Sequence, residues 1–112
     1  MQTDFYNAYK RHWEDADYLF NDSRWANADH LYGYAAECGL KCLMRQFGMI
    51  LDPATGSPYP QDRLHINDLW HRYEAYRAGF GAAAYLLPRP NPFVNWRISQ
   101  RYAKEYWLYE NL

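Results

Sequence analysis

At 112 residues with a formal net charge of −1, the chain is long enough for one domain with a modest core. That charge excludes a nonspecific nucleic-acid coat, which needs a strong basic excess, but leaves room for a local basic site. Aromatic residues make up 20% of the chain, more than one small core hides, so some of the five Trp, twelve Tyr and five Phe are expected at an interface.

Period-two alternation is absent and helical rows recur, so the expected class is all-α. The first helix is expected from Thr3 or Asp4 to about Phe20, with Thr3 as its cap and Asp4 suited to its positive N-terminus. Phe5, Tyr9, Trp13, Ala16 and Phe20 form its apolar row. Asn21-Asp22-Ser23 reads as a turn, with Ser23 a cap for a long second helix over residues 24–47. Gly48 sits where a left-handed C-terminal residue is expected.

The second helix is apolar on most of its girth. Leu31, Ala35, Cys38 and Cys42 make one row; Tyr32, Ala36, Leu40, Leu43 and Phe47 make the next. At 100° per residue, His30, Tyr34, Glu37 and Lys41 fall within about 60° of one another on the remaining strip. A polar line on an otherwise apolar helix is the feature most suggestive of chemistry. Its plainer reading is a Glu37–Lys41 pair at i, i+4, worth a few tenths of a kcal/mol. Gly33 and Gly39, unfavourable inside a helix, point to the close approach of a neighbouring helix, with a binding site opened by the missing side chains as the alternative.

Residues 52–60, with three prolines, form a connecting loop. A third helix follows over 64–77, with Ile66, Leu69, Trp70 and Tyr73 buried and Gly79-Phe80-Gly81 breaking it. Residues 82–87 are expected to add a turn or two before an irregular proline run. A last helix starts at Ser99, or earlier near Pro92, and runs to about Glu110. It brings Tyr102, Tyr106 and Tyr109 onto one face, and Arg97, Arg101 and Lys104 into a positive cluster.

Several chemistries lack their residues. None of the four histidines stands in a metal-binding pattern, no nucleophile elbow or phosphate loop is present, and no cofactor is implied. Cys38 and Cys42, one turn apart, read as small core residues. Neither a leader nor a long apolar run is seen, so a soluble cytoplasmic protein, not a membrane one, is expected. What remains suits RNA. Metal-free cleavage needs a base, an acid and a cation at the phosphate. His30 or His65 fits the base, and Arg24, Arg97 or Arg101 the cation. Arg97 and Arg101 beside Trp96 and Tyr102 suit a base and its phosphate.

The pattern Asp15-Ala16 with Leu19, then Asn27-Ala28-Asp29-His30-Leu31-x-Gly33-x-Ala35-Ala36-Glu37-Cys38-x-Leu40-Lys41, resembles the HEPN domain family of prokaryotic helical proteins. His65-x-x-x-Leu69-Trp70 and Trp96-x-Ile98-x-x-Arg101-Tyr102 extend the resemblance over most of the chain. It implies a four- to five-helix up-and-down bundle, commonly a homodimer, that binds RNA or a nucleotide in a toxin–antitoxin or defence system. Some members are metal-independent ribonucleases and some partner a nucleotidyltransferase. Active members carry Arg, four to six residues and then His near their C-terminal helices. Here the match by spacing is Arg24-x5-His30, at the entrance to the second helix. On this reading His30, Arg24 and His65 are the catalytic candidates, and Tyr34, Glu37, Lys41, Arg97, Arg101 and Tyr102 the ligand-binding ones. A noncatalytic interaction module is the alternative.

Overall fold

The first helix, α1, begins where Asp4 turns the chain. Extended at φ −138°, Asp4 accepts a hydrogen bond from the Asn7 amide on Oδ1 at 2.9 Å, and α1 spans Phe5–Asn21. The computed structural model describes residues 2–81, 85–88 and 90–102. Thr3 is not the cap. Its hydroxyl donates instead to the Gly56 carbonyl, tying the N-terminus to a distant loop.

The second helix, α2, spans Trp25–Gln46 and runs back along α1. Ser23 does not cap it. With φ 60° Ser23 takes the left-handed conformation that reverses the chain, while the Arg24 amide bonds back to the Leu19 carbonyl at 2.8 Å. Arg24 is the N-cap, and no side-chain bond caps the helix. Ala16, Ala28 and Ala35 are buried at 0–1% exposure. A Cβ on Gly39 would lie 3.3 Å from the Tyr9 ring, the close α1–α2 approach expected of that glycine. At the far end Gly48, at φ 104°, lets the Met49 amide reach the Met44 carbonyl at 2.8 Å.

The proline-rich loop is closed on itself. Asp52 accepts from Ala54 through its side chain and from Gly56 through its carbonyl, and a bridge joins Leu51 to Pro58. A 3₁₀ turn at Pro60–Asp62 leads into α3, Ile66–Phe80. The expected row Ile66, Leu69, Trp70 and Tyr73 is buried, and with Leu40, Met44, Met49 and Trp96 it forms the core. Gly79 does not break α3. The helix continues to Gly81, whose φ of 76° supplies the left-handed cap.

Beyond α3 the chain crosses back over α2. Residues 85–88 carry no helix, with Tyr85 itself at φ 61°. Turns at 91–97 lead to a 3₁₀ segment, Ile98–Tyr102, so neither Pro92 nor Ser99 starts an α-helix there. Tyr106, Tyr109 and Lys104, like residues 82–84, lie outside the described residues. Among those described, the protein is helical, with three α-helices and no strand. No helix is long and apolar enough to cross a membrane.

Candidate functional site

The polar strip of α2 meets the start of α3 and the C-terminal segment at one place. Glu37, 9% exposed, accepts from His65 Nδ1 on Oε1 at 2.9 Å and faces Lys41 Nζ across 3.4 Å on Oε2. Lys41 is itself 8% exposed, so the i, i+4 pair of the plainer reading is present and buried. A carboxylate can only accept here, so neutral His65 carries its proton on Nδ1 and presents Nε2 as an acceptor. The His65 side chain is 48% exposed. A buried carboxylate thus orients a ring that solvent and solutes can reach.

Trp96 forms the roof. Its indole lies so close against Gly33 that a Cβ there would come within 2.1 Å of Nε1. Gly33 therefore makes room for a side chain from a non-helical segment, not for a neighbouring helix. His30 stacks on the indole at 5.2 Å and 16°, Tyr34 meets it edge-on at 5.7 Å, and His65 stands at 6.0 Å. His12 of α1 adds a ring 5.6 Å from Tyr34. Asp29 accepts from Gln100 Nε2 at 2.7 Å, latching the segment to α2 across 71 residues of sequence.

The electrostatics follow from this packing. Burial lowers the His30 pKa below its ordinary 6.5, and the nearby Arg101 and His65 push the same way against Asp29. His30 Nδ1 is buried with no hydrogen-bond partner among the described residues, which also disfavours the imidazolium. Burial, with Arg11, likewise lowers His12 against the opposing pull of Asp15 and Glu37. Arg101 stays at the surface, its guanidinium 4.7 Å over the Tyr102 ring, and Tyr102 with Tyr34 raises its pKa above the ordinary value. The Cys38 thiol is pushed up to about 11 by burial, which makes it a poor nucleophile. Among the described residues no group of three or more His, Cys, Asp or Glu side chains is placed to hold a metal ion.

The structure thus brings together His30, Tyr34, Glu37, Lys41 and His65, with Arg101 reaching the His30 and Tyr34 side of the group. Tyr102, 77% exposed, lies at the edge under Arg101. Arg24 is not among them: its side chain is 66% exposed and sits 3.5 Å from Asp22. Six residues along a helix place it roughly 9 Å and about 120° away from His30. Arg97 is also apart, folded onto the Val94 and Trp96 carbonyls at 2.8 and 2.9 Å. Asp29, Gln100 and His12 entered no sequence-based site. Only the missing side chain at Gly33 hinted that something large docks there.

No family model, no curated protein and no solved structure matches this chain.

Proposed function

We propose that the chain is a HEPN-like domain, a bundle of four to five helices that binds RNA or a nucleotide at this cluster, in a toxin–antitoxin or defence setting. The observation that carries the reading is the Glu37–His65 pair, an oriented proton acceptor that solvent reaches; Arg101, on the side of His30 and Tyr34, supplies a cation to the same cluster. Tyr34, Trp96 and Tyr102 add aromatic surface of the kind that nucleobases stack on.

The reaction class that suits these groups is metal-independent RNA cleavage. His65 Nε2 takes the 2′-hydroxyl proton as that oxygen attacks the adjacent phosphorus, and the 5′-oxygen leaves and takes up a proton from water. Glu37 holds the His65 ring and stabilises its imidazolium, and Arg101 offsets charge on the phosphoryl oxygens. In this assignment Arg24 has no part, because it lies on another side of α2. An RNA-cleavage assay with chelator present tests it. Activity that drops about 10²–10⁴-fold in His65→Ala and survives in Arg24→Ala supports the assignment. Equal loss in both variants contradicts it.

One observation favours a second reading. Tyr6, Trp13 and Phe20 recur at seven-residue spacing on α1 and are 59%, 46% and 54% exposed. An aromatic stripe of that kind suits a homodimer, or docking of a nucleotidyltransferase or antitoxin by a noncatalytic module. Sedimentation equilibrium at micromolar concentration distinguishes the dimer, with twice the chain mass, from a monomer.

A further inference from the structure

A cleft of about 280 Å³ lies on α3, lined by Phe47, Arg72, Ala75, Tyr76, Gly79 and Phe80, none of which belongs to the α2 cluster. Its polar group is fixed from inside. Asp62, 1% exposed, accepts from Arg72 Nε at 2.6 Å and from the Tyr76 hydroxyl at 2.7 Å. The guanidinium also lies over the Tyr76 ring at 4.8 Å. The Arg72 side chain is 35% exposed, and among the described residues Asp62 is the one carboxylate paired with it. Asp62 takes the Nε edge. The Tyr76 hydroxyl also interacts with the guanidinium, and the remaining N–H groups of the fork are left for a second acceptor.

The walls and floor are apolar. Phe47 and Phe80 stand 5.3 Å apart, and Phe80 is 62% exposed. Gly79, exposed at the lip of the cleft, leaves open space where a side chain would stand, since a Cβ there would meet nothing within 4 Å. Covering this exposed ring removes apolar surface from water, so a ligand with an apolar face gains by lying here.

We propose that this cleft binds a small aromatic carboxylate, its carboxylate on the terminal nitrogens of Arg72 and its ring against Phe47 and Phe80. Asp62 already offsets much of the Arg72 charge, which favours a monoanionic carboxylate over a phosphate dianion. A planar carboxylate also matches the fork. The same chemistry is offered by a free aromatic acid and by the C-terminal residue of a peptide ending in Phe.

NMR titration of the full chain tests this with phenylacetate, phenylacetamide, N-acetylphenylalanine and its amide. The volume fits only a small ligand, so millimolar binding is expected. Both acids should shift Phe80 and the Arg72 Nε signal, each roughly tenfold more tightly than its amide, the worth of one charge-assisted hydrogen bond. Arg72→Ala would strand Asp62, so Gly79→Leu is the cleaner variant. It places a side chain over the mouth of the cleft without touching the Asp62 carboxylate and should abolish binding while the fold persists. Tighter binding of N-acetylphenylalanine assigns the peptide source; tighter or equal binding of phenylacetate assigns the free acid. Acids and amides binding alike, unchanged binding in Gly79→Leu, or no saturable shift with any probe overturns the proposal.

Discussion

Asp62 and Glu37 are both buried carboxylates facing α3, and their surroundings differ in one respect that separates structure from chemistry. Asp62 receives two short hydrogen bonds, from an arginine that stays charged and from a tyrosine. Both partners are held in their protonated forms, the Arg72 and Tyr76 pKa values being raised from their ordinary ones, so the contact clamps the 60–62 turn onto α3. Glu37 has one short bond, to a half-exposed histidine, and one longer contact to Lys41. Around it are rings with lowered pKa values, a nitrogen without a partner and a surface arginine. A satisfied carboxylate stabilises a fold. One that orients a titratable, accessible ring is placed to act on something else.

The largest expected effect breaks the first half of this comparison. Asp62→Ala leaves the Arg72 Nε and the Tyr76 hydroxyl without their acceptor and should cost about 3–5 kcal/mol in urea unfolding, with Glu37→Gln costing less because the amide oxygen still accepts from one of the two donors, Lys41 or His65. Equal costs would remove the distinction between the two carboxylates.

Next in size is Gly33→Ala. The added methyl overlaps the Trp96 indole, so the 90–102 segment must shift away from α2. Docking loses about 2–3 kcal/mol of aromatic burial although the helix itself gains about 1 kcal/mol in propensity. Hydrogen exchange should speed up over residues 93–102 and slow slightly within α2. Unchanged exchange in the segment contradicts the docking of Trp96 on Gly33.

These residues also show what was legible in the sequence. The His30, Tyr34, Glu37 and Lys41 strip is a matter of helical period, so it was visible once the second helix was recognised. The buried row of α3 followed from the same rule, whereas His65 sits ahead of α3 as its extended N-cap, outside the helical period. The roof was not legible, because Trp96 and Gln100 reach α2 from a segment with no period, through contacts that span most of the chain. Asp62 was hidden in a proline-rich loop, where local residue preferences describe turns but not a carboxylate turned inward. Ser23 and Thr3 show the limit of capping preferences: the tight α1–α2 reversal and the Gly56 carbonyl claimed them first.

A smaller effect sharpens the second half of the comparison. His30 and His12 have folded-state pKa values below 6.5, so the unfolded chain takes up their protons first as pH falls. Stability should therefore decline as pH drops from about 6.5 through the lower folded values, and be unaffected by these groups above that window. Urea midpoints measured between neutral and mildly acidic pH should show the decline, reduced in His30→Gln. An unchanged slope in that variant would remove His30 from the account.

The central claim is that the α2 cluster, and not the arginines outside it, meets a phosphate. Titration of a single-stranded RNA across a salt series, comparing wild type, Arg101→Ala and Arg97→Ala, tests it most directly. Arg101→Ala should weaken binding and lower the salt slope by about 0.7, the share of one phosphate contact, while Arg97→Ala leaves both nearly unchanged. Equal losses in the two variants, or no RNA binding by the wild type, would contradict the account.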